Sequence, residues 1–299
     1  MRKFGAPIAT IALGVMAACA MVALSAVPVA GQTAVTLVGA GDIASCSQNN
    51  DAATARLLGR IPGTVFTLGD NVYPYGTTQK FRDCYNPTWG RYKGRTRPAV
   101  GNHDYDRTTQ AEPYFAYFGA RAGTGRRGYY SYDRGGWHVV VLNSNCDRIG
   151  GCGETSAQGR WLKQDLNRNA SRCTLAYFHH PLYASGNGTA TPQVRPFWNM
   201  LQRRNADVIL AGHAHRYERY PTMTPGGIRS ENGIRQFVVG TGGEPGGTEI
   251  DRENAPNMQV VRPNAFGVLR LSLRPDSYSW RFVSAAGRTF TDSGTDRCH

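Results

Sequence analysis

An α/β architecture with layered sheets is what this 299-residue sequence predicts, and three observations predict it. Short apolar runs recur along the chain, each of a length that suits a buried strand. Helix-like stretches separate them, so strands and helices alternate. Five of the runs end in loops built from the same few polar residues, and ligands of open α/β sheets collect at the carboxyl ends of strands.

The elements follow in order. Val35 to Val38 runs into Gly41-Asp42, and Val65 to Leu68 runs into Gly69-Asp70. Pro98 to Val100 runs into Gly101-Asn102-His103-Asp104. Leu175 to Phe178 leads to His179-His180-Pro181, and Val208 to Ala211 leads to Gly212-His213-Ala214-His215. Helices are expected over Ala52 to Arg60, over Ala157 to Asn167 with Trp161, Leu162 and Leu166, and over Val194 to Asn205. Val139 to Leu142, Phe237 to Val239, Val268 to Leu273 and Tyr278 to Val283 supply further strands. Tyr105 to Arg127 and Glu244 to Asn264 are rich in Gly and Arg and read as loops at the rim of the polar cluster.

The amino-terminal stretch has a different composition. Arg2 and Lys3 precede an uncharged apolar run from Ala6 to Ala30, and no acidic residue comes before Asp42. This reads as a signal peptide over residues 1–31 followed by one domain over 32–299, hence a secreted or periplasmic protein with no stable anchor once the leader is cleaved. The run is also long enough to span a bilayer, so a retained anchor is the competing reading. Six cysteines follow Cys19, an even number that favours disulfides in an exported chain. They admit 15 pairings. The pairing put forward is Cys46–Cys84 between the loops after Asp42 and Asp70, Cys146–Cys152 around a short Gly-rich loop, and Cys173–Cys298 at the tail.

With 34 Lys+Arg against 21 Asp+Glu the chain is strongly basic. The basic residues are almost all arginines, spread without a run of five, so nucleic acid is not expected as the primary partner. No serine nucleophile elbow and no P-loop is present.

A single Asp after a strand is usually a turn residue. The joint pattern carries the chemistry, because five of the seven histidines lie in these loops. His138, beside a strand-like run, and His299, at the terminus, read as structural or incidental. Oxygen and imidazole donors together suit borderline first-row metals better than calcium or a thiolate site. His213 and His215 could serve one ion or one each of two neighbours, and the number of candidates favours two.

In sequence order, GDIAS, GDNVY, GNHD, HHP and GHAH resemble the five blocks of the calcineurin-like metallophosphoesterases, and within them the small bacterial type of purple acid phosphatase. The resemblance implies a four-layer αββα sandwich of two mixed β-sheets flanked by helices, with two metals at one edge. It implies Asp70 as the bridging carboxylate, with Asp42, Tyr73 and His215 completing the first site and Asn102, His179 and His213 the second. His179 is preferred to His180 because the family's ligand lies two residues before the proline. Many members carry a ligand His where this chain has Ala44, and Tyr73 is the subgroup's replacement. A phenolate favours Fe(III), so the expected cofactors are Fe(III) and a divalent Zn, Fe or Mn ion. The expected activity is hydrolysis of a small phosphate ester, most simply a monoester, by a metal-activated hydroxide. Asn102, His103 and His180 would then contact substrate, with His103 or His180 protonating the leaving oxygen and Asp104 orienting His103. A phosphodiesterase or nuclease on the same site is the alternative.

Overall fold

The computed structural model describes residues 1–6, 33–105 and 110–299. The chain divides into two units, Met1–Gly31 and Gln32–His299, and every element below belongs to the second. The expected leader, apart from residues 1–6, lies outside the described residues. Among the described residues no helix is long and apolar enough to cross a membrane.

In chain order the strands are β1 (Val35–Ala40), β2 (Ala44–Ser45), β3 (Thr64–Leu68), β4 (Val72–Tyr73), β5 (Thr96–Ala99), β6 (Tyr130–Arg134), β7 (Trp137–Val141), β8 (Cys173–Tyr177), β9 (Val208–Ala211), β10 (Arg216–Met223), β11 (Ile234–Val239), β12 (Val260–Pro263), β13 (Gly267–Arg274), β14 (Ser277–Ser284) and β15 (Ser293–Arg297). The helices are α1 (Asn50–Arg60), α2 (Thr78–Lys80), α3 (Glu112–Phe118), α4 (Ala157–Arg168) and α5 (Arg195–Gln202). Six strands form a first mixed sheet in the order β15-β14-β13-β1-β3-β5, and seven form a second in the order β12-β10-β11-β9-β8-β7-β6. The two sheets enclose the main core, where Leu37, Phe66, Tyr177, Phe237 and Trp280 are buried together.

Helices pack on parts of the outer faces for reasons visible in their sequences. In α4, Leu162 and Leu166 are four residues apart and therefore share a face, and both are buried. Its first turn is capped by Ser156, whose side chain accepts from the Gly159 amide. In α5, Phe197, Trp198, Met200 and Leu201 form the buried side. These side chains meet Val140, Ala176, Phe178 and Ile209 on the outer face of the second sheet. Each such side chain stabilises the fold by about 1.5–3 kcal/mol when fully buried. On the first sheet, α1 lies beside β13.

All three expected disulfides are present: Cys46–Cys84, Cys146–Cys152 and Cys173–Cys298. Two expectations need correction. Tyr105 to Arg127 is not simply a rim loop, since it contains α3, which buries Tyr114, Phe115 and Phe118 in the core. Glu244 to Asn264 likewise ends in the strand β12.

His138 is structural, as expected. Its Nδ1 is 2.8 Å from Asp133 Oδ1 and its Nε2 is 2.9 Å from Asp165 Oδ2. Burial alone would lower its pKa, but the two carboxylates outweigh burial and raise it above 6.5. A group whose folded pKa is raised contributes stability below its unfolded pKa and loses it as pH climbs through the folded value. The Tm advantage of wild type over His138→Gln should therefore be greatest below about pH 6 and shrink at alkaline pH. Thermal melts across that range test this, and a pH-independent difference would remove titration from the account.

Candidate metal centre

The parallel strands of both sheets deliver their carboxyl ends to one place. From the first sheet come Asp42 after β1, Asp70 after β3 and Asn102 after β5. From the second come His179 and His180 after β8, and His213 and His215 after β9. The loops after β1 and β3 run side by side, with the Ile43 amide donating to Asp70 O and the Ala44 amide to Asn71 O. They continue as the short parallel pair β2–β4, which places Tyr73.

The backbone at these positions is contorted. Among the described residues nine non-glycine positions have positive φ, and Asp42, Asp70, His213 and His215 are four of them. Such conformations cost free energy and concentrate at functional sites. Glycines make room beside them. A Cβ on Gly101 would lie 2.1 Å from Asp70 Oδ1, and one on Gly212 would lie 2.7 Å from Asp42 Oδ2.

Each carboxylate is gripped by one oxygen and presented by the other. Asp42 Oδ2 accepts from the His213 amide and Asp70 Oδ1 from the His103 amide, both at 2.8 Å. Asp42 Oδ1 faces the Tyr73 hydroxyl at 2.8 Å and His215 Nε2 at 3.2 Å. Asp70 Oδ2 faces the same hydroxyl at 2.9 Å and His179 Nε2 at 3.2 Å. His215 Nε2 is also 2.9 Å from Tyr73 Oη. Asn102 Oδ1 and His213 Nδ1 close in on His179 Nε2 at 3.0 and 3.2 Å.

Main-chain carbonyls define the tautomers. His179 Nδ1 lies 2.7 Å from Leu68 O, and His215 Nδ1 lies 3.0 Å from Pro245 O. A carbonyl only accepts, so each Nδ1 carries hydrogen and each neutral ring presents a lone pair at Nε2. The lone pair of His179 then meets Asn102 Oδ1, Asp70 Oδ2 and His213 Nδ1, and that of His215 meets Asp42 Oδ1. Tyr73 has a single proton for Asp42, Asp70 and His215. Lone pairs that face carboxylate oxygens are satisfied by a cation between them, a metal ion or, in its absence, a proton. Ligand atoms bound at about 2.0–2.2 Å around one ion stand roughly 3 Å apart, which is the spacing seen here. The donors therefore fit metal ions in two groups: Asp42, Asp70, Tyr73 and His215; and Asp70, Asn102, His179 and His213. His213 and His215 fall in different groups.

Without a metal ion, the carboxylates favour a proton at the same Nε2 atoms. Burial pulls His179 and His215 down, but Asp70 beside the first and Asp42 beside the second raise each to about 9. Burial, with His179 next to it, lowers His213 to about 4. Burial and both carboxylates push the Tyr73 phenol well above its usual value, so only a strong competing cation would remove its proton.

Around these groups, His103 packs against Tyr73 with tilted rings whose centroids are 4.6 Å apart, and it holds Pro74 O through Nδ1 at 2.6 Å. The expected orienting role of Asp104 toward His103 is corrected: its carboxylate accepts from the Asn71 amide and side chain and from the Gly101 amide. Asp104 thus braces the loops that carry Asp70 and Asn102. Burial, with Asp70 nearby, raises its pKa to about 7. His180 pairs through Nδ1 with Ser144 Oγ at 2.8 Å, and the same oxygen accepts from the His180 amide. Burial and the neighbouring His179 and His213 lower His180 well below 6.5, which keeps it neutral. Ser144 went unnoticed in the sequence, although Asn143-Ser144-Asn145 follows an apolar run as the other polar loops do. Beside His180 and Asn102 opens a cavity of about 370 Å³, walled by Asp147 and Arg148 of the disulfide-closed loop and by Gln193.

The calcineurin-like phosphoesterase family matches residues 36–217, a span that includes all five donor loops. Purple acid phosphatase 23 of Arabidopsis thaliana is 29% identical over 159 residues, covering 46% of this chain and 34% of its own. Purple acid phosphatase 1 of Ipomoea batatas is 24% identical over 265 residues, covering 76% of this chain and 54% of its own. The chain thus spans about a third to a half of the length of these relatives. A purple acid phosphatase from yellow lupin (Lupinus luteus) seeds shares the fold, with a TM-score of 0.70 at 18% identity over 88% of this chain and 54% of its own.

Crowding at Gly101 supplies a test of the donor geometry. Gly101→Ala should displace Asp70 and lower metal retention after dialysis, at a stability cost of about 1–3 kcal/mol for overpacking. Elemental analysis beside a thermal melt measures both, and full metal retention would show that the Asp70 carboxylate need not hold this position.

Proposed function

Because the chain belongs to the calcineurin-like phosphoesterase family, we propose that it is an exported phosphomonoesterase of the purple acid phosphatase type, working with two metal ions. The observation that carries this reading is the pair of donor groups sharing Asp70, with Tyr73 in the first. That first group would hold Fe(III), since a phenolate is a hard anionic donor, and the second a divalent Zn, Fe or Mn ion. Ions bound there supply Lewis acidity toward phosphoryl oxygens and lower the pKa of a bound water. The leader-like amino terminus and the three disulfides support export.

The remaining steps belong to the chain. Asn102 and His180 border the cavity from one side of the donor groups. Ser144 occupies Nδ1 of His180, so Nε2 is the nitrogen left to donate to a phosphate oxygen. A neutral imidazole serves that purpose but holds no extra proton to give away. His103, whose Nδ1 is engaged by Pro74 O, has Nε2 left to carry a proton to the leaving oxygen. Ser144 positions His180, and Asp104 positions the loops that carry Asp70 and Asn102.

A monoester brings two negative charges to a cationic centre, whereas a diester brings one and a second bulky substituent. An aryl phosphate monoester should therefore show a higher kcat/KM than its bis-ester, at low and at moderate salt. A diester preference that persists in salt would favour the phosphodiesterase or nuclease reading. His213→Ala should lower activity on the order of 10³-fold, because a catalytic metal contributes several kcal/mol. The purified protein should absorb visible light through an Fe(III)–phenolate centre, and Tyr73→Phe should abolish the band while the protein stays folded. A fully active protein without iron or colour would remove the purple assignment and leave other metals in the same donors.

A further inference from the structure

The outer face of the first sheet at β13, β14 and β15 has a regular composition. The register places Arg270, Arg281 and Ser293 in one row across the three strands. Ser272, Ser279 and Thr295 form the next row, and Arg274, Ser277 and Arg297 the third. All nine side chains are on one face, because alternate residues of a strand share a side. The four arginines, Ser293 and Thr295 are exposed, and the other three serines are partly so. The residues between them, such as Leu269, Leu271, Leu273, Tyr278 and Phe282, are buried on the core side.

Two features of this face have no internal explanation. Arg270 lies directly opposite Arg281, and like charges in that position destabilise a sheet. Among the described residues no carboxylate forms an ion pair with any of the four guanidinium groups. The nearby acids are otherwise engaged: Asp292 with Arg219, Asp296 with Arg235, and Asp276 with the Ser277 hydroxyl. Much of this face lines a cleft of about 400 Å³ that also holds Trp280 and Gly294. Basic character continues past Thr36, the register partner of Ser272, into a second cleft lined by Arg95, Arg97, Arg121 and Arg134.

We propose that the β13–β15 face is a docking surface for a linear phosphate polymer of the polyphosphate kind. The arginine rows lie four residues apart along β13, about 14 Å at the usual strand rise, and a row of three hydroxyls bridges them. Guanidinium and hydroxyl groups together recognise phosphate oxygens. A polymer running along the strands meets both cationic rows at once, whereas a single phosphate meets one. The face offers no exposed aromatic ring on which nucleotide bases would stack, and none of its nine positions carries an apolar side chain to enter a lipid layer. It is separate from the donor loops, so this inference does not depend on the activity proposed above.

The probe is long-chain inorganic polyphosphate, titrated at about 0.1 M salt into wild type and into His213→Ala, which keeps the arginine face intact. Both should bind it, and both should bind tripolyphosphate more weakly. Arg270→Ser with Arg281→Ser, and separately Arg274→Ser with Arg297→Ser, should each weaken polymer binding roughly tenfold or more. Serine already occurs on this face, and hydrolysis of a small aryl phosphate should be unchanged in both variants. Equal polymer binding by wild type and both variants would overturn the proposal. Tighter binding of DNA or of anionic vesicles than of polyphosphate, lost in the same variants, would overturn it in favour of those partners.

Discussion

Asp42 and Asp70 bring two carboxylates into the interior within hydrogen-bonding distance of one phenol oxygen, and both residues are fully buried. Like charges so placed repel strongly where water does not screen them. Their proximity has to be enforced, and much of the local backbone does so. The Asp42 amide donates to Gly69 O, and the His213 and His103 amides each hold one carboxylate oxygen. The left-handed turns at Asp42, Asp70, His213 and His215 are part of the same enforcement. A cation between the acceptors converts an unfavourable cluster into a bound centre, in line with the rule that buried charges are paired or coordinate metals.

The two-sheet architecture makes that cluster possible. One sheet can place several side chains at its carboxyl edge, but they diverge along that edge. Here the edges of two sheets meet. The Gly41 amide donates to Val239 O across from β1 to β11, and His179, carried by the second sheet, reaches Leu68 O at the end of β3 in the first. The second tie also sets a tautomer, so the contact that joins the sheets aims the His179 lone pair at Asp70.

Much of this was legible in the sequence because the strands that carry donors are continuous apolar runs with abrupt polar ends. Strand β9 occupies the expected residues Val208–Ala211, and β1 and β3 differ from expectation only at their ends. What escaped notice was built on polar or irregular chemistry. Strand β10 places Arg216 and Glu218 inside, where Glu218 accepts from Ser185 and Tyr220 and Arg216 reaches Glu249 O. A buried polar network of that kind leaves no hydrophobic periodicity to read. Helix α3 was hidden by the Gly- and Arg-rich segment around it. Adjacency in sequence suggests contact between Asp104 and His103, whereas the turn directs the Asp104 carboxylate to Asn71 and Gly101.

The net charge of +13 is a sum over regions of opposite character. The donor loops concentrate anionic and acceptor groups, and cations bound there would reverse their sign locally. The β13–β15 face is basic without any ion, and among the described residues no carboxylate forms an ion pair with its arginines. The metal loops can therefore be tuned by buried hydrogen bonds that salt barely screens, whereas the sheet face acts through exposed charge that salt weakens. Arg270 and Arg281 do not touch the donor loops, and Asp70 does not depend on them. Distant sites without shared partners behave additively. The phosphate chemistry proposed at one edge of the sandwich and the phosphate recognition proposed on one of its faces would thus coexist on a single chain, each set by its own residues.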